Sequence, residues 1–120
     1  TITATSDQQN ISLVGAGPLA SVIRNDAVLG ENAITVTGVP GNSVHGLKLQ
    51  DIGIHGNANS GVGVYCRRVA RQVEFNRVEV ASHGTNGVEF FSTCNMIVFR
   101  SCRIRDNGSA GIRTSVNGEQ

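Results

Sequence analysis

Residues 47–64 (LKLQDIGIHGNANSGVGV), 73–90 (VEFNRVEVASHGTNGVEF) and 97–114 (IVFRSCRIRDNGSAGIRT) carry one pattern three times. Each copy alternates apolar residues, inserts two polar ones, resumes with an alternating apolar pair, passes an Asn/Gly/Ser turn and ends on Gly plus an aliphatic residue. Ile54 to Gly61, Val80 to Gly87 and Ile104 to Gly111 are all seven residues apart, and Leu49, Phe75 and Phe99 are spaced by 26 and then 24 residues. Side chains on a strand alternate between two faces, so two-residue alternation inside a period in the twenties predicts short strands wound into a coil. The 3.6-residue stripe of a helical repeat is missing.

Stacking the copies at the roughly 4.8 Å spacing of paired strands places equivalent residues above one another. The expected inward columns are Leu49/Phe75/Phe99, Ile52/Val78/Cys102, Ile54/Val80/Ile104 and Val62/Val88/Ile112. The outward positions test this register independently. Asp51 falls over Arg77, Glu79 over Arg103 and Glu89 over Arg113, and opposite charges on neighbouring strands favour pairing by a few tenths of a kcal/mol each. The fold class expected is all-β: a right-handed parallel β-helix of about three to four coils, one domain over 1–120, with 1–46 an irregular first coil and 47–116 the regular coils.

Upstream, TITAT (1–5) alternates like a strand and SDQQN (6–10) reads as a polar turn. Two readings of residues 11–38 stay open. Gly15, Gly17 and Ala20 after the apolar run Ile11–Val14 match a G-x-G-x-x-G/A fingerprint, with Pro18 opening a helix to Ala27, which would make a dinucleotide-binding βαβ unit. The acidic residue expected after the second strand is absent, since Thr37 and Gly38 follow Val36. The competing reading is an atypical terminal coil: a strand at Ile11–Val14, a glycine turn, a short strand near Val22 and Ile23, a loop through Asn32 and a strand at Ile34–Val36. Residues 39–42 (VPGN) then make a turn.

A formal charge of +1 over 120 residues speaks against a general nucleic-acid binder. Aromatic residues make up 4% and Gly numbers 15, which suits a repetitive strand-and-turn architecture. No apolar run approaches the roughly 18–20 residues that cross a bilayer, so no membrane partner is expected. Cys66, Cys94 and Cys102 lack C-x-x-C spacing and define neither a zinc site nor a disulfide framework, although Cys66 and Cys94 fall in equivalent turns where one bridge would be possible. No metal or other cofactor is expected. The chain opens on Thr1 rather than Met and is read as a fragment of a longer protein.

At LVGAGPLASVI and the coils ending GVGV, GVEF and GIRT, the chain resembles the pectate-lyase-like right-handed parallel β-helix superfamily, over about residues 10–116. That superfamily includes polysaccharide lyases, pectin-type glycosidases, alginate epimerases and phage tailspikes. The resemblance implies a module that binds, and in an enzyme cleaves as a lyase or hydrolase, a bacterial or plant-type polysaccharide, in an extracellular or virion-associated setting. The alternative it implies is a non-catalytic structural or oligomerisation segment of a tailspike or surface protein. The polygalacturonase Asn-Thr-Asp, Asp-Asp and Gly-His-Gly blocks and the epimerase Asp-Pro-His-Glu block are absent, so no catalytic residue carries over.

From the residues themselves, Asp51, Glu79 and Asp106 are the candidate catalytic carboxylates, the first two at a strand-geometry separation that suits an inverting pair. Their arginine neighbours favour the ionised form and work against a general-acid role. Arg77, Arg103, Arg105, His55 and His83 are the candidate substrate-binding residues, guanidinium groups being suited to bidentate contact with sugar carboxylates. The two histidines are expected to be exposed. Arg67, Arg68 and Arg71 are read as a basic turn two residues longer than its counterpart in the next coil, and therefore tolerant of a two-residue deletion. Open strand edges at the ends of the stack predict a homo-oligomer, either stacked end to end or packed as a trimer of side-by-side helices.

Overall fold

The computed structural model describes residues 2–5, 9–26 and 29–115. The regular elements among them are all strands: β1 (Ile2–Thr5), β2 (Gln9–Val14), β3 (Val22–Arg24), β4 (Ile34–Thr37), β5 (Val44–His55), β6 (Val64–Ala81), β7 (Val88–Cys94), β8 (Ile97–Arg100), β9 (Arg103–Arg105) and β10 (Ile112–Ser115). All their pairings are parallel and build three faces. On the first face β2, the front of β5, the middle of β6 and β8 align Leu13, Leu49, Phe75 and Phe99. The second face aligns Ile23, Ile54, Val80 and Ile104 from β3, the ends of β5 and β6, and β9. The third aligns Ile2, Ile34, Val64, Val88 and Ile112 from β1, β4, the start of β6, β7 and β10. The chain returns to that face after 32, 30, 24 and 24 residues, which is a parallel β-helix of the expected size with its irregular coils first.

Alternation fills the interior as the sequence requires. Leu49, Ile54, Phe75, Val78, Val80 and Val88 are buried, and Phe75 stacks on Phe99 with ring centroids 4.6 Å apart while meeting Phe90 edge-on. Offset and edge-on contacts of this kind add to the value of the buried area alone. Cys102 is half-buried against this core, as the small inward residue it was read to be.

The faces meet at bends that turn the chain through left-handed backbone. Asp51, Arg77 and Ser101 (φ 54°, 52° and 54°) occupy the corner between the first and second faces on successive coils. Asn10, Gly46, Arg71 and Met96 (φ 55°, 93°, 71° and 49°) do so between the third and first. Only Gly, and to a lesser degree Asn and Asp, adopts this conformation without penalty. Met96 is exposed, so its side chain returns little for the strain. Met96→Gly is expected to stabilise the protein by about 1 kcal/mol at most, the relief of left-handed strain less the entropy of the added glycine. Thermal unfolding of the two proteins checks the sign.

Three expectations are corrected. No helix opens at Pro18: Ala20 and Ser21 donate to the Gly17 carbonyl in a single turn, and β3 then pairs with Gly53–His55. Residues 11–38 are therefore the irregular coil and not a βαβ unit, with Ala27 outside the described residues. The glycines there serve close packing, since a Cβ on Gly15 would lie 2.4 Å from the Asp51 carbonyl oxygen. Second, Val88 pairs with Val64 rather than Val62, because the Val64 N–H bonds the Gly87 carbonyl. Third, and as a result, the arginine stretch is not a longer turn. Val64–Val73 runs in β6 beside Val88–Ile97, both nine residues from end to end. The two extra residues lie in the preceding turn, 56–63, whose counterpart in the next coil is 82–87. A deletion between Tyr65 and Gln72 would therefore remove paired strand. The turn at 39–42 is as expected, closed by reciprocal Val39 and Asn42 backbone bonds.

Candidate functional site

The second face brings most of the candidate residues together around one carboxylate. Glu79 points outward from the end of β6, yet its side chain is only 8% exposed. His55, a coil below, places Nε2 2.8 Å from Glu79 Oε1. Arg105, a coil above, donates from Nε and Nη2 to the two oxygens of Glu79, both at 3.3 Å. Its Nη1 donates to Asp106 at 2.6 Å. Arg103 stands directly above Glu79 at 4.0 Å with most of its side chain in solvent. The register explains the convergence: His55, Ala81 and Arg105 form one column, and the small central residue lets the long ones lean over it toward Glu79. Arg24 extends that column below His55.

Burial raises the Glu79 pKa, but the hydrogen bonds from Arg105 and His55 outweigh it and hold the carboxyl below its ordinary value. An ionised carboxylate only accepts, so His55 donates to it from Nε2. Asp51 is further along, at the corner, clamped by Arg77 through Nε at 2.5 Å and Nη2 at 3.0 Å. The Arg77 bond is also the main cause of the lowered Asp51 pKa, with Gln50 assisting. All three candidate carboxylates thus carry arginine partners, and for Asp51 and Glu79 these hold the carboxyl in the ionised form rather than the acid form.

His83 does not belong to this surface. It is 1% exposed, which corrects the expectation of an exposed side chain. Nε2 faces the Ile54 carbonyl at 3.3 Å and Nδ1 faces Ser60 Oγ at 3.4 Å. A carbonyl only accepts, so Nε2 carries a hydrogen. The turn is moulded around it: a Cβ on Gly56 would lie 2.4 Å from Nδ1. Burial pulls its pKa below 6.5.

These shifts predict a two-stage loss of stability in acid. His83 takes a proton more readily when unfolded, so its contribution is complete above about pH 6.5 and declines as the pH falls below that value. Glu79 and Asp51 are depressed carboxylates, whose contribution is complete above about pH 4 and is lost as the pH falls further. Urea unfolding measured from neutral to acidic pH should show both stages, and a flat profile down to the carboxylate range would contradict the placement of His83.

Two features had no signal in the hydrophobic alternation. Tyr65 and Phe91 stack on the outside of the third face, centroids 6.4 Å apart, with the Arg67 guanidinium 5.2 Å from the Phe91 ring. A groove of about 270 Å³ opens beside the corner of the third and first faces, where Gly46 lacks a side chain. The three cysteines are free thiols; burial pushes Cys66 well up and Cys94 up, which disfavours the reactive thiolate. Among the described residues no group of three or more His, Cys, Asp or Glu is placed to hold a metal ion, and no helix is long and apolar enough to cross a membrane. Comparison with models of protein families, with curated proteins and with solved structures gives no match to this chain.

Proposed function

We propose that this protein is a carbohydrate-binding β-helix module of the pectate-lyase-like kind, which holds an anionic polysaccharide across its second face without cleaving it. The Glu79 network carries the reading. A parallel β-helix needs only its inward columns to fold, yet here a nearly buried outer carboxylate fixes His55 and Arg105 in place. Arg24, Arg103 and Arg105 outnumber Glu79 and Asp106 on this face, so a sugar carboxylate approaching it meets an excess of positive charge, with Arg105 already relieved of part of its rotamer entropy. The arginine-clamped acids favour binding over hydrolysis. An extracellular or virion-surface setting fits such a module.

Affinity electrophoresis through gels containing polygalacturonate, alginate or a neutral glucan tests the proposal. Retardation by an acidic polymer should weaken at least about tenfold in Kd for Arg103→Gln with Arg105→Gln. Equal mobility in all gels would remove the proposal, and release of reducing ends or unsaturated uronates would replace binding by catalysis.

A further inference from the structure

The corner groove lies on a different face from the Glu79 network and has different chemistry. Its walls are Asn10 and Ser12 on the first coil, Gly46 and Lys48 on the next, and Gln72 and Glu74 on the third. Ser12, Lys48 and Glu74 stand in one outward column, successive members a strand spacing apart. The groove exists because Gly46 sits in a left-handed bend with φ 93°, where a Cβ would come 3.2 Å from Asn10 Oδ1. Neither the amide pair Asn10 and Gln72 nor Lys48 is engaged by the core.

Two observations define the ligand chemistry. First, Lys48 is half-buried and donates no hydrogen bond to a described residue; its one described interaction is a longer-range attraction to Asp51. Glu74 spends Oε1 on Arg100 at 2.8 Å and has Oε2 to offer. Second, the ammonium of Lys48 and the carboxylate of Glu74 are neighbours of opposite sign, so the lining has no net charge. A lining of two carboxamides, a hydroxyl, an ammonium and a carboxylate offers donors and acceptors in mixture, with the formal charges of Lys48 and Glu74 summing to zero. Vicinal hydroxyl groups, each both donor and acceptor, match such a set. The volume lies just under the usual range for small-molecule pockets and admits one pyranose ring.

We infer that the corner groove binds a single uncharged hexopyranose unit through its hydroxyl groups. This rests on the carbohydrate-binding reading and sharpens it: the polymer is a heteropolysaccharide in which a neutral hexose accompanies the acidic unit held on the second face. Lys48 and Glu74 bracket a pair of adjacent hydroxyls, while Asn10 and Gln72 reach the ring from the coils below and above.

Amide correlation spectra of the intact protein, titrated with the methyl glycosides of glucose, galactose, mannose and glucuronic acid, test the site. At least one neutral glycoside should shift the amides of Gly46, Lys48 and Gln72 with millimolar affinity. Lys48→Met with Gln72→Ala, both at the surface, should weaken that response about tenfold or more while leaving the rest of the spectrum intact. Arg103→Gln with Arg105→Gln should leave it unchanged, so failure of the acidic site and failure of this one are distinguishable. No response at these amides, a response unaffected by the double substitution, or tighter binding of the glucuronoside there would each overturn the inference.

Discussion

Val78→Asp is expected to abolish folding under native conditions. Val78 is 1% exposed and points inward near the end of β6, directly above Ile52. A carboxylate there would have no partner in the apolar column in which it sits, between Ile52 and Cys102. Burying an unpaired charge ranks with the largest single-residue effects, about 4–5 kcal/mol or more, against a total stability of about 5–15 kcal/mol for a domain. Val78→Ala, which removes only methyl groups, should cost about 2 kcal/mol and keep a cooperative transition. Circular dichroism and urea unfolding of the pair separate the charge from the cavity. A folded Val78→Asp protein would mean that the inward column is not closed.

Gly84→Ala should be nearly as damaging for a different reason. A Cβ at Gly84 would fall 2.3 Å from the Ser60 carbonyl oxygen and 2.5 Å from that of Ala58. Both obstacles are backbone, and the same turn bonds onward, the Gly84 N–H reaching Ser60 Oγ and the Gly108 N–H reaching the His83 carbonyl. Relief would require parting two coils, so a loss of about 3 kcal/mol or more is expected, at the upper end of what overpacking costs. Loss of amide protection centred on residues 56–63 and 82–87 would locate the damage. An unchanged midpoint would show that these turns slide apart freely.

Inward and outward positions were legible because alternation is enforced by burial on one side and solvent on the other. A one-residue slip would have sent Leu49, Phe75 and Phe99 outward together. The ion pairs at Asp51–Arg77 and Glu79–Arg103 were legible for the same reason, since register alone brings those side chains together. Register also broke down where the chain offered two equal choices. The run Gly61-Val62-Gly63-Val64 contains the Gly-aliphatic signature twice, and only the bonds from Gly63 to Asn86 and from Val64 to Gly87 select the second. The misplaced arginine turn followed from that one slip. The burial of His83 was missed because the room for its ring is left by Gly56 and Gly63 in the turn of the coil below, and spacing within one coil does not reveal what a neighbouring coil leaves room for. The hub at Glu79 was half legible: its charges could be read, but not the leaning of His55 and Arg105 across Ala81.

The long central strand has a kinetic meaning. β6 pairs with β4, β5, β7, β8 and β9, so it contacts coils on both sides along all three faces. The strand pairings join residues 24 to 36 positions apart, which makes each coil a loop to be closed before its contacts return anything. Once β6 has met one neighbour, it offers a ready template in both directions. Later coils then add by growth at an edge, in the manner of a one-dimensional stack. Folding should therefore be slow to start and quick to propagate, with β6 as the seed and β1 and β10 as the last strands to join.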